Sequence, residues 1–215
     1  MKKAIVLGGS RGIGKAISES LKTLDIDVVA ASKADIDTSN MESVRKFLQT
    51  HSNTDILVLN TGGPPVIEFK KISEEDWNNY HNQLFLGFCT ILQQISINDN
   101  GYIFLITSNV IKEPNSKLII SGAYRAAFAS VFKILSKEFA ERDVSLINIA
   151  PGPINTDRTK ELVDNVEEYA DSLPMKRLGK PEEIGNFVSS IVEKDIKYLS
   201  GVVINFDGSN SNFIF

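Results

Sequence analysis

The chain opens with an apolar run, Ala4-Ile5-Val6-Leu7, that empties directly into Gly8-Gly9-Ser10-Arg11-Gly12-Ile13-Gly14. A short buried strand followed by a glycine-rich turn and a helix starting at about Ile13 aims free backbone N–H groups and the positive end of a helix dipole at one point. That point suits a pyrophosphate. Glycine is required because a Cβ would block the turn or the close approach of phosphate to backbone. A turn after the first strand is also where an open α/β sheet takes a dinucleotide. Gly8, Ser10, Arg11, Gly12, Ile13 and Gly14 are therefore expected to bind a nucleotide cofactor.

The rest of the chain repeats the theme. Continuous Ile/Val/Leu runs predict strands at 4–7, 27–31, 56–60, 102–107, 144–149 and 202–206. Continuous runs fit parallel strands covered on both faces. Helical patterns lie between them at 13–24, 40–50, 74–95, 123–141 and 181–193, the last opened by Pro181-Glu182-Glu183. Alternating βα units imply an α/β fold with a doubly wound parallel sheet. No linker or repeat divides residues 1–215, so one domain is expected. A strand-like piece near 35–37 follows 27–31 too closely for a crossover helix: either the helix is lost or the pairing is irregular. Residues 153–175, without a clear strand, suit a mobile flap over a substrate.

Composition narrows the function. With 23 basic and 27 acidic residues the net charge is -4, and no basic stripe points to nucleic acid. One cysteine, Cys89, and two histidines make no metal cluster and fit a reducing compartment. Lys2-Lys3 runs straight into the first strand, and no apolar run approaches the roughly 20 residues that span a bilayer. A cytoplasmic protein without membrane or nucleic-acid partners is expected. Phe213, Ile214 and Phe215 at the tail hint at contacts between subunits.

Later motifs sharpen the glycine turn. Leu59-Asn60-Thr61-Gly62-Gly63, Asn148 through Thr156, Pro174 through Ile184, and Ser200-Gly201 through Asp207-Gly208 follow it in order. With these the whole chain resembles the short-chain dehydrogenase/reductase family, in particular its 3-oxoacyl-carrier-protein reductase-like branch. The resemblance implies a Rossmann fold, a nicotinamide cofactor touching Asn60, Thr61 and Gly62, and Pro151, Gly152, Ile154 and Thr156 around the nicotinamide. It also implies a homodimer or homotetramer.

Charge speaks to which cofactor. The second strand ends Ala31-Ser32-Lys33, offering a hydroxyl and a cation where an NAD-specific site offers an acid. With Arg11 nearby, the pattern favours NADP(H) over NAD(H). Asp35 complicates this, since an acid so close could serve the ribose of NAD. By the resemblance an acid contacts the adenine, and helix phase from Ser43-Val44 favours Asp37 over Asp35.

The catalytic pattern is broken. The family uses a Tyr, a Lys four residues later, a Ser, and an Asn on the preceding helix. Tyr124 falls where the family's Tyr should be, but Phe128 stands four residues on, and Leu84 occupies the Asn position. Ser108 matches the serine, with Thr107 as runner-up, although the loop from Ser108 to Tyr124 looks a few residues too long. A free phenol titrates near roughly 10, so it can still give a proton to a carbonyl oxygen. A three-unit pKa deficit costs roughly a thousandfold for any step that needs phenolate. Reduction is therefore the feasible direction. Lys112 or Lys117 could replace the missing cation; Arg125, about 100° around the helix from Tyr124, is a poorer candidate.

Two functions follow. The first is NADP(H)-dependent reduction of a ketone, a 3-oxoacyl thioester or another small carbonyl compound, with Ser108 and Tyr124 as the catalytic pair. The second is NADP(H) binding without dehydrogenase activity, in a regulatory or sensor role.

Overall fold

Six aliphatic runs form one wholly parallel sheet in the order β2-β1-β3-β4-β5-β6. The strands are β1 (Lys3–Leu7), β2 (Asp27–Ala31), β3 (Asn53–Leu59), β4 (Ser96–Ile106), β5 (Ser145–Pro151) and β6 (Val202–Phe206). A computed structural model supplies this fold and describes residues 1–214; Phe215, one of the apolar tail residues, lies outside them. Helices α1 (Gly12–Lys22), α2 (Met41–Thr50), α3 (Glu74–His81), α4 (Gly87–Gln94), α5 (Ile119–Ala140), α6 (Asp157–Leu162), α7 (Val166–Ser172) and α8 (Pro181–Glu193) complete the chain.

Successive strand residues face opposite sides, so the sheet carries two cores. Ile5, Leu7, Leu57, Leu59, Ile103 and Leu105 pack against Val44, Phe88, Phe128 and Phe132 on one side. Val6, Val58, Phe104, Ile147 and Ile149 pack against Ile17 and Leu21 of α1 and Ile184 and Val188 of α8 on the other. The doubly wound α/β expectation holds.

Two local expectations need correction. No strand forms at 35–37. The chain instead folds back on Ser32, whose backbone N–H and hydroxyl both donate to Asp35 Oδ2 at 2.8 and 2.7 Å. This leaves β2 as the sheet edge, and α2 makes the crossover from β2 to β3. The pattern at 74–95 is two helices joined by a π turn at Asn82–Leu86, a feature frequent at functional sites. Residues 153–175 hold α6 and α7.

The second correction matters most. α5 begins at Ile119, a turn earlier than the pattern at 123–141 suggests, because Ile119-Ile120 and Ser121-Gly122 are poor helix formers that mask its start. By length and composition alone α5 is long and apolar enough to cross a bilayer, a test that a core helix also passes. Here it packs on the sheet, burying Phe128 and Phe132.

Candidate active site

The turns after β1 and β3 meet where the strand order reverses, which places a crevice at the carboxyl ends of these two strands. Gly8 and Gly12 have φ of +60° and +53°, and a Cβ on Gly14 would stand 2.1 Å from the Gly8 carbonyl oxygen. Only glycine closes this turn. Asn60 Nδ2 donates to the Leu7 and Gly8 carbonyls at 3.2 and 3.4 Å, tying the third strand's end to the first. No side chain caps α1: its N-cap Arg11 is extended and makes no capping hydrogen bond. The first N–H groups of an uncapped helix, behind a cradle that a Cβ would fill, fit a pyrophosphate.

The remaining cofactor candidates lie at or just after the carboxyl ends of β2, β3 and β5. Gln83 Nε2 donates to Thr61 Oγ1 and the Gly62 carbonyl, at 3.2 and 2.8 Å, from the π turn. Gly152 lies so close to Asp207 that a Cβ would stand 2.6 Å from that side chain. Ile154 is buried and bridges to Gly179, and the Thr156 methyl lies 3.4 Å from a Cβ built on Gly12. At the end of β2, Lys33 is exposed and sits 3.4 Å from Asp37. The Asp37 carboxylate also accepts from Ser39, and its pKa is lowered by these hydrogen bonds and by Lys33 against an opposing desolvation cost. Ser32 is committed to Asp35.

The two hydroxyls at the end of β4 separate clearly. Thr107 is buried and donates to Asn148 Oδ1 at 2.6 Å, so it serves the core. Ser108 is half-buried and caps a short turn through the Val110 N–H at 3.4 Å.

α5 is not arranged as its sequence suggests. The Tyr124 hydroxyl donates to the Trp77 carbonyl at 3.1 Å, and its ring meets Trp77 and His81 edge-on. Burial raises its pKa, which keeps the phenol protonated. Phe128 is 1% exposed among Phe85, Phe88 and Phe132. Of the two lysines considered as substitutes, Lys112 stacks over Phe213 and Lys117 is exposed. The cation at the carboxyl ends of β3 and β4 is Arg125, itself buried. Its Nη1 donates to the Ile106 carbonyl at 2.9 Å, Nη2 to the Thr61 carbonyl at 3.3 Å, and Nε to Ser121 Oγ at 3.2 Å.

A family model described as Enoyl-(Acyl carrier protein) reductase matches residues 34–209. The chain belongs to the short-chain dehydrogenase/reductase family. It is 29% identical, over 96% of each chain, to 3-oxoacyl-(acyl-carrier-protein) reductase of Chlamydia pneumoniae. It is 25% identical, over 99% of each, to the NADPH-dependent reductase BacG of Bacillus subtilis. A short-chain dehydrogenase/reductase of Serratia marcescens has the same fold, with a TM-score of 0.84, 23% identity and 98% of each chain covered. So does a short chain dehydrogenase of Burkholderia cenocepacia in complex with NADP, with a TM-score of 0.83, 20% identity and 96% of each chain covered.

Within this short-chain dehydrogenase/reductase the helix register is decisive. The family's hydroxyl and cation stand four residues apart on one helix. Tyr124 and Phe128 have that spacing but face α3 and the core. Ser121 and Arg125, one turn earlier, have the same spacing, and Arg125 reaches the carboxyl ends of β3 and β4. Counting to Ser121 also removes the excess loop length after Ser108. Sequence reasoning missed the pair by looking for a tyrosine; the helix periodicity that returns Phe128 and Phe132 to the core was the available signal.

Proposed function

We propose that the chain is a cytoplasmic NADP(H)-dependent reductase that converts a ketone, a 3-oxoacyl thioester or another small carbonyl compound, to an alcohol. The observation that carries this reading is the uncapped start of α1 behind Gly8 and Gly14, where no side chain fits. Ser10, Arg11, Gly12, Ile13 and Gly14 hold the pyrophosphate through backbone N–H groups. Lys33 and Arg11 receive the 2′-phosphate beside Ser32, whose hydroxyl Asp35 holds, and Asp37 faces the adenine. Asn60, Thr61 and Gly62 line one wall; Pro151, Gly152, Ile154 and Thr156 line the nicotinamide end. When bound, the reduced nicotinamide supplies a hydride. Ser108 orients the carbonyl that receives it.

Tyr124 moves out of the catalytic pair, because its hydroxyl is engaged by the Trp77 carbonyl. Direction follows from what remains: alcohol oxidation needs a base, and the one phenol of this helix face is turned to Trp77 rather than to the substrate. Subunits pair through the exposed face of α5, where Ile134 is 68% exposed beside Ala127 and Ser130. Light scattering on the eluted protein checks for a homodimer or homotetramer.

The test is a titration with NADPH and NADH, followed by NADPH consumption over a panel of ketones and 3-oxoacyl thioesters. Tight NADPH binding and turnover of one ketone are expected. Binding with no turnover across the panel selects the alternative, a binding protein without dehydrogenase activity, which Leu84, 1% exposed, favours.

A further inference from the structure

Arg125 is the only charged side chain among the buried residues described, at 7% exposure. All three of its hydrogen-bond acceptors are neutral: two carbonyls and a hydroxyl. No carboxylate pairs with it among the described ion pairs, and the nearest charge acting on it is Arg158, of the same sign. Burial and that like charge lower its pKa to about 10, leaving it charged at neutral pH. Neutral donors would serve two carbonyls equally well, and burying an unpaired cation is costly. A guanidinium has five N–H donors, and three are engaged. One remains on each terminal nitrogen, and those nitrogens bond at the carboxyl ends of β4 and β3.

We propose that Arg125, oriented by Ser121, is the oxyanion-holding cation of this site and takes the place of an acid side chain. The inference rests on the reductase reading above. Hydride adds to the carbonyl carbon and the C=O π pair moves to oxygen. The free N–H groups of Arg125 hold the resulting alkoxide. Water gives the proton, and the hydroxide left behind is neutralised by solvent. Ser108 orients the ketone before transfer. Ser121 is a positioning residue: its Oγ accepts from Nε and fixes the plane of the fork.

Arg125→Met and Arg125→Lys separate this role from a structural one. For Arg125→Met, turnover is expected to fall about a hundredfold or more, the usual effect of removing one oxyanion donor. NADPH affinity should stay within about threefold, and the thermal midpoint without cofactor should hold or rise, because an unpaired buried charge is gone. Arg125→Lys should recover part of the loss, since it returns a charge without the fork. Ser121→Ala should cost about two- to tenfold in turnover, as one hydrogen bond does. A midpoint lowered in Arg125→Met with turnover intact would overturn the proposal, since that pattern marks a purely structural arginine.

A second readout needs no turnover. Acetate, a small oxyanion, is titrated against the cofactor-free chain. The midpoint of the wild-type protein should rise with acetate and that of Arg125→Met should not. If the wild type reduces no ketone but this difference appears, the reductase reading fails and the anion site stands. If acetate moves both proteins equally or neither, the anion site is refuted whatever the turnover.

Discussion

The two walls of the crevice are specified in different ways. The wall after β1 is made of backbone: glycines at positive φ and helix N–H groups define it, so residue identity and geometry coincide. The wall made by α5 consists of side chains, and which of them face the crevice depends on where the helix starts. A shift of one turn swaps Tyr124 and Phe128 for Ser121 and Arg125. The difference teaches that a family's binding half can stay recognisable while its reactive half is rebuilt with other chemistry.

The sharpest way to break that comparison is to force the family's cation into the tyrosine register. Phe128→Lys places an ammonium where a ring is 1% exposed among three other phenylalanines. It should cost about 3–5 kcal/mol, the effect of losing a core phenylalanine and leaving an unpaired charge. Urea unfolding measures this. A stable Phe128→Lys protein with increased turnover would return Tyr124 to the chemistry.

The backbone wall should fail through binding instead. Gly14→Ala sets a Cβ 2.1 Å from a carbonyl oxygen, so the turn must open. NADPH affinity is expected to fall about a hundredfold, equivalent to one or two lost charge-assisted hydrogen bonds. Calorimetric titration gives the value; unchanged affinity would remove the turn from the cofactor site.

A gentler cut tests charge rather than shape. Lys33→Glu should lower the preference for NADPH over NADH by about tenfold or more, as loss of a contact between cation and phosphate implies. NADH affinity should change little. The Lys33–Asp37 pair is exposed on the lysine side, so its loss costs stability about 0–1 kcal/mol and does not confuse the reading. An unaltered preference would leave Lys33 a solvated surface lysine and move the choice to Arg11.

Much of this was legible in the sequence. Continuous aliphatic runs mark all six strands because strands buried on both faces have no polar alternation. The glycine turn is legible because a positive φ leaves almost no other residue possible. The edge at β2 is not, since Ala34-Asp35-Ile36 reads as extended until the Ser32–Asp35 hydrogen bonds turn it. Arg125 is hidden for a different reason. Its neighbours are apolar, its partners are carbonyls with no sequence signature, and a tyrosine sits beside it to claim the role.

Tyr124 therefore supplies the finest distinction. In Tyr124→Phe the ring keeps its contacts with Trp77 and His81 and loses one hydrogen bond to the Trp77 carbonyl. Stability should fall by about 1 kcal/mol, while turnover stays within about threefold, since the hydroxyl does not serve the substrate. The pH profile separates this from a proton-donor role. A catalytic phenol must stay protonated to reduce a ketone, so turnover would fall as pH rises through its pKa. Burial raises that pKa above its ordinary value near 10. In Tyr124→Phe such a limb would vanish along with most of the activity. Superimposable wild-type and variant profiles from neutral pH upward are expected, and a lost high-pH limb with a collapse in turnover would give the proton back to Tyr124.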